Sequence, residues 1–266
     1  MRRKIQGSRI LITGASSGIG RALAQKAAAA GARLAVVSRS ADKLADLQSS
    51  LPMGTEVCPI VADVTRDEDR LRLLRTAADR YDGLDVLVNN AGVASFGHFS
   101  TSSEAIVRQI METNFFAPAE LMRSAIPILT QGNQPAIVNV SSMTGRRGMP
   151  AWSEYSASKF ALCGLTESLR GELARFDIDI LLIIPGLTRS GLHDNMLRNE
   201  GRMKIEFDKG QRPEVVADTI LTSLKSNRTE VVVGWEARWI LWFHRWLPRF
   251  TEWRIQRQVK KLYAGI

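Results

Sequence analysis

Cysteine is scarce: Cys58 and Cys163 are the only two in 266 residues, with no Cys-x-x-Cys pair and no histidine cluster beside either. That spacing indicates neither a disulfide framework nor a zinc site, and both thiols are expected to be packing residues. Long apolar runs are missing as well, since nothing approaches the ~18 uninterrupted apolar residues of a membrane-spanning helix. The basic start Met1-Arg2-Arg3-Lys4 leads directly into a strand, without an apolar leader and cleavage site, so a cytoplasmic rather than a secreted protein is expected. There is no internal repeat and no low-complexity linker. With 45% hydrophobic and 24% charged residues, intrinsic disorder is excluded. What the chain has in excess is positive charge, +9 net with a pI near 10.0. Such a balance suits nucleic acid, an anionic membrane surface or an anionic ligand. Residues 235–266 carry seven Lys or Arg against Glu236 and Glu252, a local +5. No nucleic-acid-binding module is recognisable, and no nucleic-acid partner is expected.

Apolar, β-rich runs at residues 10–12, 34–37, 57–61, 86–88, 137–140, 180–184 and 230–233 alternate with longer segments of helical periodicity. Seven strands and about six helices follow. Strands that are apolar throughout are buried on both faces, and regular β-α alternation implies parallel order with right-handed crossovers. The expected fold is therefore α/β, a doubly wound parallel seven-stranded sheet with helices on both faces. Residues 1–234 would form one unit and 235–266 a helical extension. In such a sheet ligands bind beyond the carboxyl ends of the strands, where Gly14, Arg39, Asp63, Asn90, Ser142 and Pro185 would emerge.

Two segments carry chemistry. Thr13-Gly14-Ala15-Ser16-Ser17-Gly18-Ile19-Gly20 reads as strand end, tight turn and helix start. Glycine permits a positive φ and close backbone approach, while the free N–H groups and positive end of the helix attract a pyrophosphate. Tyr155 and Lys159, four residues apart in a helical stretch, leave the same face. An ammonium beside a phenol favours the phenolate, so Tyr155 is expected to ionise below its usual pKa of about 10.

Together with Asp63-Val64, Asn89-Asn90-Ala91-Gly92, Asn114, Asn139-Val140-Ser141-Ser142 and Pro185-Gly186, these segments resemble the short-chain dehydrogenase/reductase family over roughly residues 7 to 233. The resemblance implies a Rossmann-like fold and a nicotinamide cofactor held by Gly14, Ser16, Ser17, Gly18, Ile19, Gly20, Asp63, Val64, Asn90, Ala91, Gly92, Tyr155, Lys159, Pro185, Gly186 and Thr188. Ser190 is an alternative to Thr188 at the phosphate. It also implies that Lys159 binds the nicotinamide ribose and that Asn114 completes a proton relay at a helix distortion. A buried asparagine bonding backbone is the plainer reading of Asn114.

Hydride transfer to a carbonyl builds negative charge on oxygen, which needs a donor in place and a proton on arrival. Tyr155 is the acid/base in this reading, and Ser142 hydrogen-bonds the same oxygen. Ser141 and Ser142 point to opposite sides of a strand, and the family spacing to the tyrosine favours Ser142. After the second strand Ser38-Arg39 has no carboxylate for ribose hydroxyls, and a guanidinium can bind a 2′-phosphate, so NADP(H) is expected. Asp63 has a second reading as an ordinary N-cap of a helix starting at Thr65.

Trp235, Trp239, Trp242 and Trp246 recur at helical intervals, with Phe243, Ile240 and Leu247 alongside, Arg238 and Arg245 opposite, and Pro248 breaking or kinking the segment. Three readings are open: burial on the body or on a twin subunit, slightly favoured; peripheral contact with a membrane; and a lid over the substrate pocket. The expected activity is an NADPH-dependent carbonyl reductase or alcohol dehydrogenase, similar to hydroxysteroid or retinol dehydrogenases, acting on a lipophilic small molecule. A 3-oxoacyl-carrier-protein reductase is the alternative within the class, and a non-catalytic NADP-binding sensor or scaffold the alternative outside it. Specificity is expected in residues 93–99, 143–152 and 187–207. Family resemblance implies a homodimer or homotetramer.

Overall fold

A computed structural model describes residues 3–192, 196–203 and 205–264. Seven strands form one parallel sheet: β1 (Arg9–Thr13), β2 (Arg33–Ser38), β3 (Val57–Val61), β4 (Val86–Asn89), β6 (Ala136–Val140), β7 (Asp179–Pro185) and β9 (Glu230–Val233), in the order β3-β2-β1-β4-β6-β7-β9. All seven expected strands are present, each within two residues of its expected ends. A second, two-stranded pairing of β5 (Ser95–Phe96) with β8 (Arg198–Asn199) had no signal in the sequence, because two residues are too few for periodicity.

Continuous hydrophobicity has its reason in the layering. Ile10 and Ile12, Leu34 and Val36, Val86 and Val88, and Val138 and Val140 face one side, against α1 (Gly18–Ala29), α2 (Ala41–Ser49) and α7 (Pro213–Ser226). Leu11, Ala35, Val37, Leu87 and Ile137 face the other, against α3 (Asp67–Tyr81), α5 (Ala117–Leu129) and α6 (Ser153–Glu172). Alternating side chains along each strand thus reach separate cores, so both must be apolar.

The helices outnumber the expectation: nine α-helices lie among the described residues. One extra arises because α4 (Glu104–Met111) joins α5 through a π-turn, Glu112–Phe116, in which backbone bonds skip an additional residue. Others are in the tail, where the run breaks at Pro248 as expected and the same proline opens a new helix. It stands at the first position of α9 (Pro248–Tyr263) after α8 (Trp235–Trp246), where a missing N–H costs nothing.

Burial of the tail's indoles on the body is overturned. In α8 Ala237 is buried and Leu241 and His244 are half-buried, whereas Trp235 is 71% exposed and Trp246 64%. At about 100° per residue those three inner residues form one stripe, the four tryptophans lie diametrically across from it, and Arg238 and Arg245 fall between. The arginines therefore flank the indoles rather than oppose them. The tail is linked to the loop after β6 by Arg147, which is buried and pairs with Glu252 at 3.1 Å.

At the amino ends of the strands, Asp85 accepts from Arg9 N at 2.9 Å, from its guanidinium at 2.6 Å and from Asn133 N at 2.7 Å. This joins β1, the start of β4 and the turn before β6, leaving the carboxyl ends to line a cleft.

Candidate active site

The glycine loop leaves β1 with Gly14 at φ +65° and Gly18 at φ +51°, both left-handed. Ala15 N bonds Val37 O at 3.0 Å, fixing the turn beside β2. Gly20 is where α1 crosses the loop: a Cβ there would lie 2.3 Å from Gly14 O. Ser17 stands at the N-cap without a side-chain cap, and no acidic residue occupies the first turn, so the first N–H groups of α1 remain open to the cleft. Asn90 is anchored differently from a ligand contact: its amide donates to Thr13 O at 3.0 Å and to Gly14 O at 3.1 Å, holding the loop from behind.

The cleft encloses about 340 Å³ and is lined by Gly14, Ser16, Ser17, Gly18 and Ile19 at its centre. Ser38, Arg39, Asp63 and Val64 line one end, and Asn90, Ala91, Gly92, Tyr155 and Lys159 the other. Lys43, in the first turn of α2, joins Arg39 there; the sequence reading missed it, although four-residue spacing from Arg39 was visible. Asp63 is not the N-cap of α3, which begins at Asp67 after Arg66. Its carboxylate accepts from Thr65 N at 3.0 Å and from Thr65 Oγ1 at 2.7 Å, closing a local turn at the cleft edge. Pro185, Gly186 and Thr188 are not among the lining residues, whereas Ser190 is. The Thr188 hydroxyl donates to Gly186 O at 2.9 Å and accepts from Gln211 Nε2 at 3.2 Å.

Strand alternation separates the two serines as expected. Ser141 Oγ turns to α6, 3.3 Å from Lys159 O and 3.2 Å from Cys163 Sγ. Ser142 Oγ accepts from Thr144 N at 3.2 Å and from Thr144 Oγ1 at 3.1 Å, and lies on the Tyr155 side of the strand end, where it favours the ionised phenol. Lys159 Nζ donates to Val140 O at 3.0 Å and lies 5.8 Å from the centre of the Tyr155 ring. The expected lowering of the phenol is overturned: burial pushes Tyr155 up to about 12, against a smaller opposite pull from Ser142. Stripping water from a phenolate outweighs a cation that is itself engaged elsewhere. The same burial brings Lys159 down to about 8.

Asn114 sits in the π-turn, fully buried. Its side chain exchanges two bonds with the Val93 backbone, both 2.9 Å, and donates to Ser158 Oγ at 3.0 Å. It lies behind Gly92, where a Cβ would come within 3.2 Å of Asn114 Oδ1 and 3.7 Å of Lys159 Nζ. The three segments expected to set specificity do meet. Gly97 N bonds Ala151 O at 2.8 Å, the Phe96 and Trp152 rings are 5.1 Å apart, and β8 pairs with β5. Trp152 reaches the Tyr155 ring at 5.6 Å. Within 187–207, His193, Asp194, Asn195 and Lys204 lie outside the described residues.

An open helix N-terminus for a diphosphate, backbone bared by glycine and paired cations at one end fit a dinucleotide. Residues 8–201 match the family model described as short chain dehydrogenase. The chain belongs to the short-chain dehydrogenase/reductase family. It is an oxidoreductase of that family, whose members use NAD(P)(H). A hydroxysteroid 11-beta-dehydrogenase 1-like protein of Xenopus tropicalis is 33% identical over 261 residues, 95% of this chain and 88% of the relative. Among solved structures, a member from Burkholderia phymatum in complex with NAD has a TM-score of 0.82 at 25% identity, covering 91% of this chain and 94% of that one. One from Burkholderia cenocepacia J2315 in complex with NADP has a TM-score of 0.80 at 26% identity, covering 95% and 99%.

Proposed function

We propose that this oxidoreductase reduces the carbonyl group of an apolar substrate to an alcohol with NADPH, and catalyses the reverse oxidation, with Tyr155 as acid/base. The observation that carries the reading is a buried Tyr155 at the cleft with Lys159 one helical turn away on the same wall and Ser142 beside the phenol. When bound, the nicotinamide supplies or accepts the hydride. Tyr155 stays protonated at neutral pH and can deliver a proton to the carbonyl oxygen. Ser142 holds that oxygen through its hydroxyl. Lys159, mostly charged at pH 7, orients the cofactor ribose and draws charge toward itself when the proton leaves Tyr155. Asn114 positions Val93 and Ser158 and so shapes the wall behind Lys159.

Arg39 and Lys43, both exposed and without a carboxylate at the β2 end, support NADPH over NADH. The Phe96 and Trp152 rings beside Tyr155 support an apolar substrate, as does the hydroxysteroid named for the Xenopus relative. A panel of ketones and aldehydes followed by NADPH absorbance tests the activity. Tyr155→Phe should lower turnover by roughly 10²–10⁴ with NADPH affinity retained; undiminished turnover would end the assignment. Arg39→Ala should weaken NADPH and spare NADH, and equal losses would refute the cofactor preference.

A further inference from the structure

We propose that α8 and α9 form a docking surface for an anionic lipid bilayer. Trp235, Trp239, Trp242 and Trp246 are each at least half exposed, as is Trp253, and Phe243 and Phe250 are more than 40% exposed. Their rings pack on one another instead of on the body: Trp239 and Trp242 are 5.7 Å apart, Trp242 and Phe243 5.1 Å, and Phe250 and Trp253 6.1 Å. Two exposed aromatic clusters on adjoining helices of this kind mark an interaction site on a water-exposed protein.

Charge selects the occupant. The tail holds a net +5. Arg245 lies over the Trp246 ring at 5.9 Å and Arg257 over Trp253 at 5.4 Å, so cations rim the indoles. Indoles with a rim of arginine match the headgroup zone, where aromatic rings enter the acyl boundary and guanidinium groups meet anionic lipid. A second copy is disfavoured, because a two-fold contact through this face would bring +5 against +5. Helices of 12 and 16 residues are too short to cross a bilayer, and no helix among the described residues is long and apolar enough to do so. Lying in the interface remains.

The surface is fixed to the body at two points. α8 packs on the turn that ends β7, where a Cβ on Gly186 would lie 2.9 Å from Ala237 Cβ, and α9 holds Arg147 of the loop that follows Ser142.

The test is co-sedimentation of the full chain with vesicles of phosphatidylcholine alone or with phosphatidylserine added. Binding to the anionic vesicles, weakened by salt, is expected. Trp239→Ser with Trp242→Ser, or Lys260→Glu with Lys261→Glu, should each reduce it by more than about tenfold. Those side chains are exposed, so unchanged thermal unfolding and cofactor binding would show the variants folded. The idea fails if the full chain ignores both vesicles, or if the tryptophan variant binds as well as the parent. It also fails if sedimentation equilibrium shows a self-association that the tryptophan variant dissolves, which would assign the patch to a second copy. Vesicle binding is read without turnover, so it stands or falls apart from the redox reading.

Discussion

Tyr155 and Lys159 share a helix face and a cleft, yet burial moves them in opposite senses, each toward its neutral form. For Lys159 this has a consequence for stability. Folded, it releases its proton near 8; unfolded, near its ordinary value of 10.5. Between those values the unfolded chain binds a proton the folded one does not, so stability rises with pH across that window. Lys159→Met, which has no such titration, should lose ground to the parent by up to about 3 kcal/mol as pH rises from about 7 to about 11. Urea unfolding of both proteins without cofactor checks this, and a gap that stays constant would contradict it. At this scale much was legible. Helical spacing placed Tyr155 and Lys159 together, and strand alternation turned Ser141 toward α6 and Ser142 toward the phenol. The direction of the Tyr155 shift was not legible, because it depends on how much water the folded site excludes. Lys43 escaped for a similar reason: its reach into the cleft depends on the angle at which α2 leaves Arg39.

Among the elements, the glycine loop is the tightest. Gly20→Ala would place a methyl group 2.3 Å from Gly14 O and 2.5 Å from Asn90 Nδ2, against backbone that is itself pinned by Asn90. A loss of about 2 kcal/mol in stability is expected, with NADPH affinity reduced more than about tenfold as the loop shifts. Thermal unfolding and cofactor titration measure both, and a variant equal to the parent in each would show that the loop yields. The loop was readable because glycine spacing is a local requirement of backbone sterics. The π-turn could be anticipated only through family resemblance, since Glu112-Thr113-Asn114-Phe115-Phe116 has the composition of any helix. The pairing of β5 with β8 joins residues a hundred positions apart and leaves no local pattern.

For the whole molecule, the amino ends of the strands act as a clamp and the carboxyl ends as the site. Burial works against the ionised form of Asp85, but Arg9 and the N–H groups of Arg9 and Asn133 hold its carboxyl below the usual range. Its contribution is present above the unfolded pKa of about 4 and is lost as pH falls through the folded value. Asp85→Asn should cost about 3 kcal/mol at neutral pH by leaving Arg9 without its buried partner, and the difference should begin to narrow below pH about 4 and close as pH falls through the lower folded value. Denaturant melts across that range test it; a difference that persists in acid would exclude the pairing as its source.

The sequence by itself determined the seven strands, their parallel order and, of the six residues expected at one rim, the convergence of Gly14, Arg39, Asp63 and Asn90 on the cleft, because hydrophobic periodicity and chain chirality act locally and admit few topologies. Ser142 and Pro185 do not line it. Only the tertiary structure decided which side of α8 the body covers, which hydroxyl after β7 lines the cleft, and which way Tyr155 titrates. Each of these depends on burial, a property of surfaces brought together from distant parts of the chain.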